Sequence, residues 1–117
     1  MKKLFPILAA FALTILLSAC KQSTTFGPNP VFEGWYADPE GFVDDKTIWV
    51  YPTSSLPYKE QTYLDAYSTT DLVHWEKHPD ILTNQQAKWV WQAMWAPSVV
   101  KKDGLYYLFF AGNDVHE

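Results

Sequence analysis

The chain has 117 residues and a formal net charge of −4 at pH 7, with lysine as its only strong cation and 13 acids scattered along it. No basic patch forms, which argues against a nucleic-acid partner. One cysteine, Cys20, excludes an intramolecular disulfide, and an aromatic content of 17% suits both a packed β core and sugars, whose apolar faces lie flat on rings.

The first residues read as an address. Lys2 and Lys3 form a basic start, and Leu4 to Leu17 is apolar but too short to span a bilayer. Leu17-Ser18-Ala19-Cys20 resembles a bacterial lipobox, which implies a lipoprotein signal peptide over residues 1–19 and lipid chains on Cys20. Such chains would anchor the protein to a membrane of the cell envelope, on its periplasmic or outer side. The alternative is a plain secretory signal with an incidental cysteine. Residues 20–30 are polar, proline-bearing and without periodicity, as expected of a tether.

After the tether, helix signals are nearly absent. Gly41–Asp44 predicts a short strand, Asp44-Asp45-Lys46 a polar turn, and Thr47–Tyr51 a strongly β-prone strand. Thr62–Thr69 predicts a third strand and Trp75–Leu82 a fourth, irregular one, separated by a turn at Thr70-Asp71. Val99–Lys101, the hairpin turn Asp103-Gly104 and Leu105–Ala111 then restart the scheme. Asp38 precedes Pro39, which biases it toward extended backbone at the head of the first strand. Leu105 to Ala111 is apolar or aromatic on both faces, so its sheet requires cover on each side.

Pro39 set on Pro97 aligns the segment 37–51 with 95–109 without a gap. Each reads as proline, short apolar strand, polar turn and long apolar-aromatic strand. A repeat of this length is the mark of a stacked array such as a β-propeller, with one four-stranded blade per period. Two unrelated hairpins of similar pattern are the alternative. The fold class expected is all-β, with residues 31–117 supplying about one and a half to two blades of a longer domain.

Tyr36-Ala37-Asp38-Pro39, Ser68-Thr69-Thr70-Asp71-Leu72-Val73-His74-Trp75, and Met94-Trp95-Ala96-Pro97-Ser98-Val99-Val100 with Asp103-Gly104-Leu105-Tyr106-Tyr107-Leu108-Phe109-Phe110-Ala111 resemble glycoside hydrolase family 43. These are five-bladed β-propeller enzymes acting on arabinose- and xylose-containing plant polysaccharides. The resemblance covers roughly the N-terminal third of such a domain. It implies that Asp38 is the general base of an inverting glycosidase, drawing a proton from water beneath the anomeric carbon. The matching acid would stand about 6.5–9.5 Å away on the opposite side. In the family that Glu, and the Asp that tunes it, come from later blades. Neither Asp114 nor Glu117 occupies a matching motif, so this stretch alone is expected to be inactive or nearly so.

Trp35 and Trp95 each precede an inner strand and are candidates for a sugar-facing wall, with packing between blades as the alternative. Trp89, Trp91, Ala93 and Trp95 would share a face if 88–95 is extended. Phe32 and Tyr36 are undecided between these two uses. His74, His78 and His116 have no metal-ligand spacing, and no cofactor or metal is expected. Asp44 and Asp45 read as turn residues. A carbohydrate is the expected partner. A glycan-binding envelope lipoprotein without hydrolytic activity is the rival function, and a truncated reading frame is a third possibility.

Overall fold

The computed structural model describes residues 27–114, so the expected signal peptide, Cys20 with most of the expected tether, and His116 and Glu117 lie outside the described residues. The described residues form an all-β structure of six strands and one short 3-10 turn at Tyr58–Glu60. The strands are β1 (Tyr36–Asp44), β2 (Thr47–Ser54), β3 (Tyr63–Thr69), β4 (Glu76–Thr83), β5 (Gln92–Lys102) and β6 (Leu105–Asn113). The first four pair antiparallel in the order β1-β2-β3-β4, a meander of the kind that makes one propeller blade. A separate β5-β6 hairpin begins the next sheet.

The turn chemistry explains the connections. Asp103 and Gly104 have φ of 52° and 78°, left-handed at both central positions, as a two-residue type I′ hairpin requires. Asp45, with φ 53°, turns the chain between β1 and β2. Between β3 and β4 the Thr69 hydroxyl accepts from the backbone N–H of Asp71 (3.1 Å) and Leu72 (3.0 Å). The Asp71 carboxylate in turn accepts from the N–H groups of Val73 (2.9 Å) and His74 (2.8 Å) and pairs with His74 Nδ1 at 2.7 Å. His74 and then the backbone donors hold the Asp71 carboxyl well below the usual carboxylate range. His74 therefore serves the turn.

Two strands begin earlier than the local pattern predicts. β1 starts at Tyr36 and runs through Asp38-Pro39, and β5 starts at Gln92 and runs through Pro97. Each absorbs its proline in a β-bulge, between Ala37 and Glu40 in β1 and between Trp95 and Ser98 in β5. A bulge inserts residues with no partner on the neighbouring strand, so the missing proline N–H breaks no ladder hydrogen bond. The expectation of extended backbone at Asp38 is overturned, since its φ is 46°. The bulge imposes this left-handed conformation, which the short polar side chain of Asp tolerates better than most.

The core sits between β3 and β4 of the first sheet and the hairpin. Leu64, Val90 and Met94 are buried there against Ile81, Leu82, Ala87, Leu108 and Phe110. Gly112 is required at this junction, because a Cβ there would stand 2.7 Å from Val90 Cγ2. A second cluster closes the start of the chain over the first sheet. Phe32 stacks on Tyr67 at 3.9 Å and meets Tyr36 edge-on at 5.2 Å. Tyr36 donates to the Glu33 carbonyl (3.0 Å), leaving its oxygen to accept from Tyr67 at 2.7 Å. Phe32 and Tyr36 are thus packing residues.

Asp44 ends β1 instead of sitting in the turn, and it ties the two sheets together. Its carboxylate bonds Lys101 Nζ at 2.6 Å and the Tyr106 hydroxyl. Ser98 Oγ reaches Glu40 Oε1 at 3.4 Å in the same seam.

Candidate active site

Asp38 lies in the β1 bulge, where the irregular backbone re-aims its side chain outward. Asp38 and Pro39 are exposed, while Ala37 and Glu40 on either side are partly buried. A non-glycine residue in left-handed backbone costs about 1–3 kcal/mol and persists only where its surroundings over-determine it. The surroundings here are specific. Thr53, directly opposite Ala37 on β2, donates its hydroxyl to Asp38 Oδ2 at 3.2 Å. Thr53 Oγ1 in turn accepts from the backbone N–H of Ala96 at 2.7 Å. Ala96 is in the β5 bulge with φ 45°, so the two bulges meet across Thr53. This cradle was invisible in the sequence, where Thr53 reads as one more β-prone residue.

Trp35 and Trp95 have different settings. Trp35 is 85% exposed, and its carbonyl is fixed by the Ser55 N–H at 2.9 Å. Trp95 is partly buried. Its indole N–H donates to Gln61 Oε1, and its ring lies 5.7 Å from that of Tyr58. Gln61 is itself clamped, accepting from Met94 N at 2.7 Å and donating from Nε2 to the Leu56 carbonyl at 2.8 Å.

The shared face expected for Trp89, Trp91, Ala93 and Trp95 does not form. Trp89 lies in the turn before β5 and stacks on Phe110 at 5.4 Å. Ala93, with φ 63°, breaks the alternation at a further bulge between Gln92 and Met94.

Two cavities lie away from Asp38, around Trp49. One, of about 520 Å³, is lined by Trp49, Ser68, His74, Trp75 and His78 among others. The second, of about 270 Å³, is lined by Phe42, Asp44, Trp49, Tyr51 and Tyr106. Phe42 and Trp49 are direct partners and share a sheet face. The second cavity, which Tyr106 also lines, lies in the seam with the hairpin, whereas the first is lined by the first sheet and its β3–β4 turn. In the first cavity His78 is held by Ser68 Oγ at 2.8 Å and by the Trp49 ring at 4.8 Å. Among the described residues no group of three or more His, Cys, Asp or Glu side chains could hold a metal ion.

A buried carboxylate that sequence reasoning missed is Asp65 on β3, 1% exposed. It accepts from Lys77 Nζ at 2.8 Å and from the backbone N–H of Asp80 at 2.9 Å. Both oxygens are engaged inside the first sheet, and its role is structural.

Known proteins resemble this chain in sequence and in fold. Residues 27–117 match the family described as Glycosyl hydrolases family 43. The Aspergillus niger protein named beta-D-galactofuranosidase xynD is 43% identical over 108 residues, which cover 84% of this chain and 32% of that protein. The crystal structure of the GH43_1 enzyme from Xanthomonas citri complexed with xylose aligns with a TM-score of 0.61 at 23% identity, over 68% of this chain and 25% of that one. A thermostable family-43 glycoside hydrolase aligns with a TM-score of 0.61 at 24% identity, over 79% of this chain and 30% of that one. The chain thus spans about a third or less of these relatives and covers only part of their propeller domain. With its meander, its second hairpin and its sequence match over residues 27–117, the chain belongs to glycoside hydrolase family 43.

Proposed function

We propose that this chain supplies the first blade and the general base, Asp38, of an inverting glycosidase. The observation that carries the reading is Asp38 itself: an exposed carboxylate on left-handed backbone, braced by Thr53, within the Ala-Asp-Pro motif of a family 43 chain. Ionised, it would accept a proton from the water attacking the anomeric carbon. The leaving oxygen would take its proton from an acid elsewhere in the complete domain, about 6.5–9.5 Å from the base. General acid assistance contributes about 10²–10⁴-fold, so residues 27–114 alone would turn over little or nothing.

The substrate class we propose is a glycoside of arabinose or xylose in plant polysaccharides. The name of the Aspergillus niger relative adds galactofuranosides to the panel that must be tested. Trp35 and Trp95 are proposed as the aromatic wall for the sugar, with Trp95 held rigid by Gln61. Cys20 is proposed as a lipidation site that anchors the protein to the cell envelope. Loss of fatty-acid labelling in Cys20→Ala would support it, and unchanged labelling would exclude it.

The test of function is hydrolysis of aryl arabinofuranosides, xylosides and galactofuranosides by the complete polypeptide and its Asp38→Asn variant. Loss of at least about 10²-fold in kcat/KM with the fold intact is the expected result. Full activity in Asp38→Asn would remove Asp38 from the role. Binding of the same sugars without hydrolysis by the parent protein would favour a glycan-binding lipoprotein.

A further inference from the structure

We propose that Thr53 is a positioning residue for Asp38, fixing the carboxylate by a hydrogen-bond relay that begins in the second repeat. The proposal rests on the reading of Asp38 as general base. Thr53 is 3% exposed and sits on β2 opposite Ala37, one residue from the base. A hydroxyl has one proton to give and two lone pairs to receive. The Ala96 N–H can only donate, and it occupies a lone pair of Oγ1 at 2.7 Å. The hydroxyl proton is thereby directed to Asp38 Oδ2, at 3.2 Å. Among the described residues, this leaves the carboxylate's Oδ1 for water.

The relay depends on both bulges. The left-handed turn at Asp38 carries the carboxylate to Thr53, and the equivalent turn at Ala96 carries a backbone N–H there from the neighbouring sheet. The first repeat supplies the carboxylate and the second a donor, with the β-branched Thr53 between them. Branching at Cβ limits χ1, so the hydroxyl direction is set by the strand. Valine matches that shape and lacks the hydroxyl.

The experiment compares Thr53→Val, Thr53→Ser, Asp38→Asn and the double variant Asp38→Asn/Thr53→Val in the complete polypeptide, on an aryl glycoside with a good leaving group. Thr53→Val is expected to lower kcat by about 10–100-fold, the cost of a base displaced by a fraction of an ångström to an ångström. KM should stay within about twofold. Thr53→Ser, which keeps the hydroxyl, should restore most of the lost kcat. If Thr53 acts through Asp38, the double variant should be no slower than Asp38→Asn alone.

Additive losses, or equal losses in the Ser and Val variants, would overturn the proposal while leaving the base in place. Full activity in Asp38→Asn would instead remove the base, and the relay with it. Should Thr53→Val not fold, Thr53→Ala tests the same relay: a parent-level kcat there overturns it, and a drop in kcat at constant KM supports it.

Discussion

Asp38 and Ala96 occupy the same backbone position in two successive repeats. Both precede proline, both are left-handed, with φ of 46° and 45°, and both sit in bulges spanning matched residues, Ala37 to Glu40 and Trp95 to Ser98. Glu40 and Ser98, 58 residues apart, touch at 3.4 Å. The repeat is therefore a property of the backbone, while the carboxylate belongs to the first copy.

Ala96 tests whether that backbone is imposed by its surroundings. Ala96→Val puts a β-branched side chain on left-handed backbone and should cost about 1–3 kcal/mol. Ala96→Gly suits the conformation but loosens the unfolded chain, and should stay within about 1 kcal/mol of the parent. Urea unfolding of the complete polypeptide and its two variants reads the difference. Equal costs would mean that the φ angle is not what constrains this position.

Much of the strand order was legible before the structure. The β-prone run at 47–51, the Asp103-Gly104 turn and the Pro39/Pro97 alignment each identify an element that forms. The bulges were not legible. Pro39 and Pro97 look like strand starts, because local preference before proline is extended, and only pairing with the neighbouring strand reveals that each chain passes through its proline. The same blindness hid Thr53, Asp65 and the cross-sheet role of Asp44. Their partners, Ala96, Lys77 and Lys101, are distant in sequence or one strand over, and no local pattern marks them.

Asp65 and Lys77 predict an alkaline limit to stability. The hydrogen bond to Asp65 holds Lys77 above its ordinary value of 10.5, against a smaller opposing effect of burial. A lysine whose folded value is raised contributes stability that is fully present below the unfolded value. That contribution is lost as pH rises through the folded one. Melting temperature should therefore fall more steeply above pH 10.5 in the parent than in Lys77→Met. Asp65→Ala should cost about 1–3 kcal/mol for the orphaned Asp80 N–H, measurable at neutral pH as a lower urea midpoint. An unchanged midpoint would mean that water takes over the Asp80 donor.

Asp44 predicts the opposite limit, in acid. Lys101 and then Tyr106 hold its carboxyl below the ordinary value of 3.8. Stability from a depressed carboxylate is present above the unfolded value and is lost as pH falls through the folded one. The seam between β1 and the hairpin should therefore weaken below pH 3.8, with amides of β5 and β6 exchanging sooner than those of β2 and β3. Asp44→Asn should show this selective exchange already at neutral pH. Uniform exchange across both sheets would show that the seam does not depend on this carboxylate.

The β6 strand predicts how the hairpin behaves without further sheets. Leu105, Tyr107 and Phe109 alternate onto one face, and Val100 pairs with Tyr107 on the same side. That face is open, with Phe109 61% and Leu105 60% exposed, whereas Leu108 and Phe110 turn inward to the core. Contiguous apolar surface of this kind drives association when nothing covers it, and the β6 edge adds unpaired backbone groups. Residues 27–114 expressed alone should self-associate at micromolar concentration, and Leu105→Lys/Phe109→Lys should restore monomers in sedimentation. In the complete polypeptide the same pair should lower the melting temperature, because a following propeller sheet would bury both lysines there. Solubilisation of the short form with no loss in the complete one would show that this face stays open to solvent in both.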